Sequence, residues 1–282
     1  MYFGLFNNEI DIADIRENFE FIASLGCTTT QFDFINLLGD SIPGSIEAGM
    51  IDDIIEGSKR SGVTVCAVSG TYNMAHPDEE YRKEYRNRLP GFFSACRKLG
   101  SQMVTLCTGT RSTEFMWKYS PDNSSEKAWT DMTDEVKTAV KYAEAEGLVL
   151  GVECEAANII SNPDKARKLL DEVGSPSLKM ILDGANLFDN GIVSKERSRE
   201  TLGRAFELLS DDIRMAHGKD IKAGSGIDFC PAGRGTVDFE YMLQNLIDMN
   251  FDGPMIIHGI RKMEDFAPAV TFMRSLYDRL SR

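Results

Sequence analysis

The hydrophobic positions of this 282-residue chain fall into short apolar runs that alternate with longer segments of helical periodicity. The runs are rich in β-branched and aromatic residues, which is typical of buried strands. The segments between them repeat an apolar residue every three or four positions and often end at glycine or proline, which is typical of amphipathic helices. This alternation predicts an α/β protein with a parallel sheet.

Eight pairs of a strand and a helix follow one another along the chain. The predicted strands lie at residues 2–7, 28–34, 63–68, 103–107, 148–155, 179–183, 213–217 and 254–258. The predicted helices lie at about residues 12–26, 45–60, 78–99, 126–146, 162–174, 195–209, 238–249 and 265–280. Pro90 should kink or split the third helix.

Eight units of about 35 residues suit a closed (β/α)8 TIM barrel with its active site at the C-terminal ends of the strands. No shift in composition marks a boundary, so residues 1–282 are expected to form a single domain. A doubly wound open sheet would also alternate strands and helices. It fits less well, because no Gly-x-Gly-x-x-Gly turn follows the first strand.

Composition narrows the class of protein. A hydrophobic content of 42% without a long apolar segment indicates a soluble chain that does not enter a membrane. The amino terminus has no basic region or cleavage-like site, so a cytoplasmic location is expected. The six scattered cysteines, with no C-x-x-C pair, favour reduced core thiols. A formal charge of -13 repels a phosphate backbone and disfavours nucleic acid as a partner.

Four predicted strands end in a side chain that can bind a metal. These residues are Glu153, Asp183, His217 and His258. Each is separated from the next by about one βα unit, so the four would top consecutive strands and converge at the mouth of the barrel. Any one of them alone is more readily read as a surface or ion-paired residue. Together they predict one divalent ion, with manganese preferred and magnesium, cobalt, iron and zinc open.

Other polar residues are predicted to surround these ligands. Glu155 and Lys219 each follow a ligand by two positions and would point the same way as that ligand. Lys219 would act as an acid or base, or else pair with Asp220 or Glu155. The predicted substrate contacts are His76, Arg111, Glu155, Asn186 and Arg234. Surface ion pairs for the arginines, and loop or turn contacts for the others, are the alternatives.

A long connection at residues 108–123 follows the fourth strand, and its length suggests an active-site loop. Trp117 and Tyr119 in this connection could stack on a sugar or an aglycone ring, or pack on the following helix.

Several motifs together resemble the xylose isomerase-like barrels, a family that includes sugar isomerases, sugar and sugar-phosphate epimerases, inosose dehydratases and the apurinic endonuclease barrel. The resemblance covers essentially the whole chain, and its most specific part is His217-x-Lys219-Asp220. The other motifs are Gly151-Val152-Glu153, Leu182-Asp183, the run 233–239 and the run 253–258.

The resemblance implies one divalent metal held by Glu, Asp, His and Glu. Glu153, Asp183 and His217 would be the first three ligands, whereas His258 stands where the family pattern has a glutamate. In the epimerases of the family, the two metal-binding glutamates exchange protons on opposite faces of a carbon next to a carbonyl. Only Glu153 of that pair remains here, and a coordinated histidine is a poor base.

The resemblance therefore implies a metal-dependent isomerase or epimerase of a small sugar, with Glu153 and Lys219 as catalytic residues. The nearest alternative is a lyase or dehydratase acting on a keto-sugar, a keto-inositol or a 3-keto-glycoside. A non-catalytic sugar-binding barrel fits less well, and so does an apurinic endonuclease, which needs a histidine-rich zinc cluster. A small carbohydrate is the expected partner, and a homo-oligomer is left open.

Overall fold

The computed structural model describes residues 1–188 and 192–282, and its centre is a closed barrel of eight parallel strands. The barrel strands are β1 (Tyr2–Phe6), β2 (Thr29–Phe32), β3 (Thr64–Ser69), β4 (Met103–Leu106), β5 (Val149–Glu153), β6 (Leu178–Asp183), β8 (Ile213–Ile221) and β11 (Pro254–Ile257). Hydrogen bonding passes around the barrel in that order and returns from β11 to β1. The predicted single TIM barrel is confirmed.

Helices surround the barrel and cover its strands. They are α1 (Ile15–Ser24), α2 (Ile35–Leu38), α3 (Ala48–Ser61), α4 (Glu79–Lys98), α5 (Glu126–Glu146), α6 (Pro163–Val173), α7 (Lys195–Leu209), α8 (Phe239–Asp248) and α9 (Phe266–Leu280). Side-chain caps begin several of them. Asn162, for example, accepts a hydrogen bond from the backbone N–H of Lys165, and Pro163 is the first residue of α6.

Helix α4 differs from its prediction, because it runs through Pro90 without being split. Pro90 lies on the exposed face of this helix. Water can therefore bind the carbonyl group that the missing N–H leaves without a partner.

In the part of the chain that the structure describes, three short strands lie outside the closed barrel. β7 (Ile192–Val193) pairs with β9 (Gly224–Ser225), and β10 (Phe229–Pro231) pairs antiparallel with the end of β8. The pairing with β10 places Pro231 beside Lys219 and Cys230 beside Asp220. As a result β8 continues four residues beyond His217, where the sequence predicted its end.

A layer of apolar side chains fills the barrel below its mouth. It consists of Ala67, Met103, Ile181, Met215 and Ile256. Gly151 is required beside this layer, because a Cβ atom there would lie 2.9 Å from both Ile181 and Met103. Side chains alternate between the two faces of a strand, so every second residue points inward. Four inward-pointing residues therefore lie above the apolar layer, each two positions after Gly151, Ile181, Met215 or Ile256. These residues are Glu153, Asp183, His217 and His258.

Two further observations concern the cysteines and the helices. All six cysteines are free thiols, and five of them are buried. Among residues 1–188 and 192–282, every helix is too short or too polar to cross a membrane.

Candidate active site

Two carboxylates and two imidazoles meet at the C-terminal mouth of the barrel. Oδ2 of Asp183 lies 3.5 Å from Nδ1 of His217 and 3.2 Å from Nε2 of His258. Oε1 of Glu153 lies 3.5 Å from the same Nδ1 of His217. Asp183 and the two histidines are buried, and each offers a ligand atom within 4.8 Å of the other two. The structure thus brings together all four residues that the sequence suggested as ligands.

The ring of His217 is oriented by Gln31, which lies on β2. Oε1 of Gln31 is 3.0 Å from Nε2 of His217, and this amide oxygen can only accept, so Nε2 carries the proton of that bond. Nε2 of Gln31 donates to Oγ of Ser69 at 3.0 Å, which fixes the orientation of the amide. Nδ1 of His217 is therefore the nitrogen that faces the carboxylates.

Nδ1 of His217 is buried and has no hydrogen-bond partner among the residues that the structure describes, since both carboxylate oxygens stay 3.5 Å away. Burial lowers the pKa of His217, but the charges of Glu153 and Asp183 outweigh it and raise the pKa to about 9. Two carboxylates that attract a proton to this nitrogen would also attract a divalent cation. An unpartnered buried nitrogen between carboxylate oxygens fits a metal site.

His258 is held from behind by Glu9, a residue that the sequence analysis missed. Nδ1 of His258 lies 3.6 Å from Oε1 of Glu9, whose two oxygens accept the backbone N–H groups of Gly259 and Ile260, each at 2.9 Å. Burial raises the pKa of Glu9, but hydrogen bonding to His258 and the charge of that ring outweigh burial and lower it. A carboxylate behind a histidine commonly directs the other ring nitrogen toward a metal. One signal was available, since Glu9 follows the end of β1 by three positions.

Lys219 is buried against Asp183. Its Nζ lies 3.0 Å from Oδ2 of Asp183 and donates to Oδ1 of Asn186 at 2.8 Å. Burial lowers the pKa of Lys219, but the charges of Asp183, Glu153 and Glu155 outweigh it and raise the pKa. The side chain is therefore an ammonium, which can donate a proton or stabilise an oxyanion but is not available as a base.

Lys219 does not pair with Asp220, which the sequence left open as an alternative. The carboxylate of Asp220 points to the opposite side of β8 and accepts four backbone N–H groups at 2.8 to 3.0 Å. They belong to Ile221, Gly233, Gly235 and Val237. Asp220 thus orders the loop after β10.

Asn186 links the two sides of the site. Oδ1 of Asp183 accepts the N–H of Ala185 at 2.9 Å and begins a 3₁₀ turn at Gly184–Leu187, which carries Asn186 into the mouth. Nδ2 of Asn186 donates to Oε1 of Glu153, and its Oδ1 accepts from Lys219. The amide therefore ties the expected base to the ammonium.

Glu155 lies just beyond the end of β5 and is also buried. Sγ of Cys107 lies 3.2 Å from its Oε1 and donates to it. Burial and the charge of Glu153 raise the pKa of Glu155 to about 7. A carboxyl group with this pKa can both take up and release a proton near neutral pH.

A cavity of about 340 Å³ opens above these residues. Its polar lining includes Glu153, Glu155, Asn186, His217, Lys219 and His258. Asp183 lies behind them and is 2% exposed. Two of the five predicted substrate contacts, Glu155 and Asn186, therefore face this cavity.

The other three predicted contacts lie outside the residues that line the cavity. They are His76, Arg111 and Arg234. Nδ1 of His76 accepts the backbone N–H of Asp78, while Arg111 and Arg234 form ion pairs of 2.8 and 2.7 Å with Asp131 and Asp265. His76 thus makes a loop contact and Arg234 an exposed ion pair, the alternatives named for them, whereas the ion pair of Arg111 is not at the surface, since its side chain is 8% exposed. Substrate binding by these three residues stays a prediction that the geometry does not support.

The fold and the site define a class of protein, the (β/α)8 barrels with a mixed carboxylate and histidine centre at the mouth. Residues 19–276 match the family model described as xylose isomerase-like TIM barrel, and the chain belongs to that family. The resemblance seen in the sequence is thereby confirmed. No protein of curated function matches the chain in sequence.

Solved structures share this fold over nearly the whole chain. The 3-keto-D-glucoside 4-epimerase YcjR from E. coli has a TM-score of 0.77 and 18% identity, with 98% of this chain and 99% of that chain covered. A D-tagatose 3-epimerase-like protein has a TM-score of 0.77 and 16% identity, with 99% and 98% covered. The IolI protein with a bound zinc atom has a TM-score of 0.72 and 15% identity, with 100% and 98% covered. At these identities the likeness establishes the fold alone.

Proposed function

We propose that this protein is a divalent-metal-dependent isomerase or epimerase that removes a proton next to the carbonyl group of a small sugar derivative. One observation carries the proposal, namely the convergence of Glu153, Asp183, His217 and His258 around the unpartnered Nδ1 of His217. The names of the structural neighbours support it, since two are sugar epimerases or epimerase-like and a third holds zinc.

The metal would be held by Asp183, His217 and His258, with Glu153 as the fourth ligand. A divalent ion in such a site polarises a carbonyl group and stabilises the negative charge that develops when the neighbouring proton leaves. Oxygen and nitrogen donors in this ratio suit manganese, which we prefer, and also cobalt, iron, zinc or magnesium.

The chain's own residues divide the proton chemistry between them. Glu153 is the base, because its carboxylate faces the cavity and is fixed by the amide of Asn186. Lys219 supplies a positive charge to the developing oxyanion and can return a proton to it. Glu155 offers a second carboxyl group in the same cavity, which an epimerase needs on the opposite face of the carbon.

A lyase or dehydratase is the second candidate, and one observation favours it. His258 occupies the position where the family pattern has a glutamate, and its Nε2 lies 3.2 Å from Oδ2 of Asp183. Elimination of a β-substituent needs one base to start the reaction, and Glu153 is sufficient for that.

Deuterium exchange tests the step that both candidates share. The manganese-loaded protein should incorporate solvent deuterium into at least one member of a panel of keto-sugars, keto-inositols and 3-keto-glycosides. NMR of the product then separates inversion at the exchanged carbon from loss of a substituent. If no compound exchanges in the loaded protein, the proposed function is wrong.

A further inference from the structure

We infer that the substrate carries an apolar, ring-sized aglycone, and that this group binds in an annex beside the metal-bearing cavity. The inference rests on the proposed function, since it takes the sugar part to occupy the cavity lined by Glu153 and His217. It adds a chemical class for the rest of the substrate.

The annex is a second cavity of about 220 Å³. It adjoins the first, because five residues line both. The shared residues are Trp117, Glu155, Asn186, Lys219 and Phe229. A molecule that contacts Lys219 in the cavity is therefore directly beside the annex.

Among the residues that the structure describes, those that line only the annex are all apolar. They are Ala156, Ala157, Ala185, Phe188 and Ile227. The three shared polar side chains already have partners: Lys219 binds Asp183 and Asn186, Asn186 also binds Glu153, and Glu155 accepts from the thiol of Cys107.

This apolar lining favours an apolar group over a second sugar in the annex. A second sugar in the annex would bury hydroxyl groups against alanine, phenylalanine and isoleucine side chains, and an unmet hydroxyl group is costly to bury. An apolar group meets no such cost. An apolar cavity on the order of 150 Å³ accommodates a benzene ring, so the annex is large enough for one aromatic ring.

Trp117 gives the annex an aromatic wall that the backbone holds in place. Its side chain is 44% exposed. The carbonyl groups on either side of it are nevertheless fixed, since Met116 accepts from Nδ2 of Asn158 at 3.2 Å and Lys118 accepts from Oγ1 of Thr110 at 3.0 Å. A large aromatic surface that is exposed and yet held in position is suited to stack on a ring of the ligand.

A matched pair of ligands tests the inference. The probes are methyl and phenyl 3-keto-β-D-glucopyranoside, titrated calorimetrically into the manganese-loaded protein. We expect the phenyl compound to bind about tenfold more tightly than the methyl compound, and Trp117→Ala to reduce this ratio of affinities to near one. Ile227→Ser, at a residue 52% exposed, should reduce the preference in the same direction.

Tyr119→Ala is the control, because Tyr119 is exposed on the same loop but lines neither cavity. It should leave the preference intact. The inference would be overturned by equal affinities for the two compounds or by a phenyl 3-keto-glucoside that does not bind. It would also be overturned if Trp117→Ala weakened the binding of both compounds equally.

Deuterium exchange, measured in the same samples, separates this inference from the proposed function. Exchange into the methyl compound without a preference for phenyl leaves the proposed function standing and removes the annex. A phenyl preference that depends on Trp117, found without exchange into any member of the keto-sugar panel, supports the annex and contradicts the proposed function.

Discussion

Oε1 of Gln31 accepts a hydrogen bond from Nε2 of His217 at 3.0 Å, across the barrel from β2 to β8. This bond determines which nitrogen of His217 faces Glu153 and Asp183. The distance along the chain between the two residues, 186 positions, hides the relationship from any reading of local pattern.

The first prediction concerns this bond. Gln31→Leu removes the acceptor but keeps a buried side chain of similar size, so His217 should lose its fixed tautomer. Loss of a group that orients a metal ligand typically weakens the affinity for the metal by about 10- to 100-fold. Calorimetric titration with manganese measures the change, and Gln244→Leu on the outer helix α8 is the control. An unchanged manganese affinity in Gln31→Leu would show that Gln31 does not orient this ligand.

The second prediction concerns the metal ligands. The purified protein should contain about one divalent ion per chain, and His217→Ala or Asp183→Ala should reduce this to near zero. His76→Ala is the matched control, because His76 lies outside the cavity and should keep the metal. Elemental analysis gives the occupancy. Full occupancy in both ligand variants would refute the assignment.

The third prediction separates the two candidate reactions. In an epimerase, Glu155→Gln should leave deuterium exchange by Glu153 in place but slow inversion by at least about 100-fold, because the second proton carrier is gone. In a lyase the same variant should still release the leaving group. Glu153→Gln should stop exchange in either case. Epimerisation at the normal rate in Glu155→Gln would exclude Glu155 as the second carrier.

The fourth prediction concerns the stability of the fold. Burial raises the pKa of Asp33 from 3.8 to about 6, while hydrogen bonds from Ile35 and Ser41 oppose the shift. Because the folded pKa is the higher one, the charged carboxylate destabilises the fold above about pH 6, and this cost disappears below about pH 4.

Asp33→Asn should therefore be more stable than the natural protein at pH 8, by roughly 2 kcal/mol, and equal to it near pH 4. The free energy of unfolding in urea measures the difference at each pH. Asp11→Asn, at an exposed position, is the control. A variant that is less stable at pH 8 than at pH 4, relative to the natural protein, would contradict the sign of the effect.

The alternation of apolar runs and amphipathic segments was enough to predict the barrel, because each strand and helix is encoded locally. The four ligand candidates were found for the same reason, since they follow the apolar runs of β5, β6, β8 and β11. Arg111 and Arg234 were predicted to contact the substrate, but the structure places them in ion pairs outside the cavity lining. Their ionic partners, Asp131 and Asp265, are 20 and 31 positions away, and only the packed fold brings these charges together.

Glu9 shows a different limit of prediction from the sequence. It lies beyond the end of β1, within a short 3₁₀ turn, and the first strand was read only for its apolar residues. Its bonds to the backbone of Gly259 and Ile260 cross from one end of the chain to the other. Lys219 and Glu155 could be placed near the ligands because each follows a ligand by two positions, so that both side chains lie on the same face of the strand. Their protonation could not be predicted, because it depends on burial and on charges from three strands.

The end of β8 has a consequence for how this region can change in evolution. His217 and Lys219 face the mouth of the barrel, while Gly218 and Asp220 face the surrounding layer, where a Cβ on Gly218 would lie 3.2 Å from Ile257. A one-residue insertion between His217 and Lys219 would exchange these two faces. The ammonium would leave the mouth, and Asp220 would release the loop at 233–237. The length of this segment therefore cannot change by a single residue.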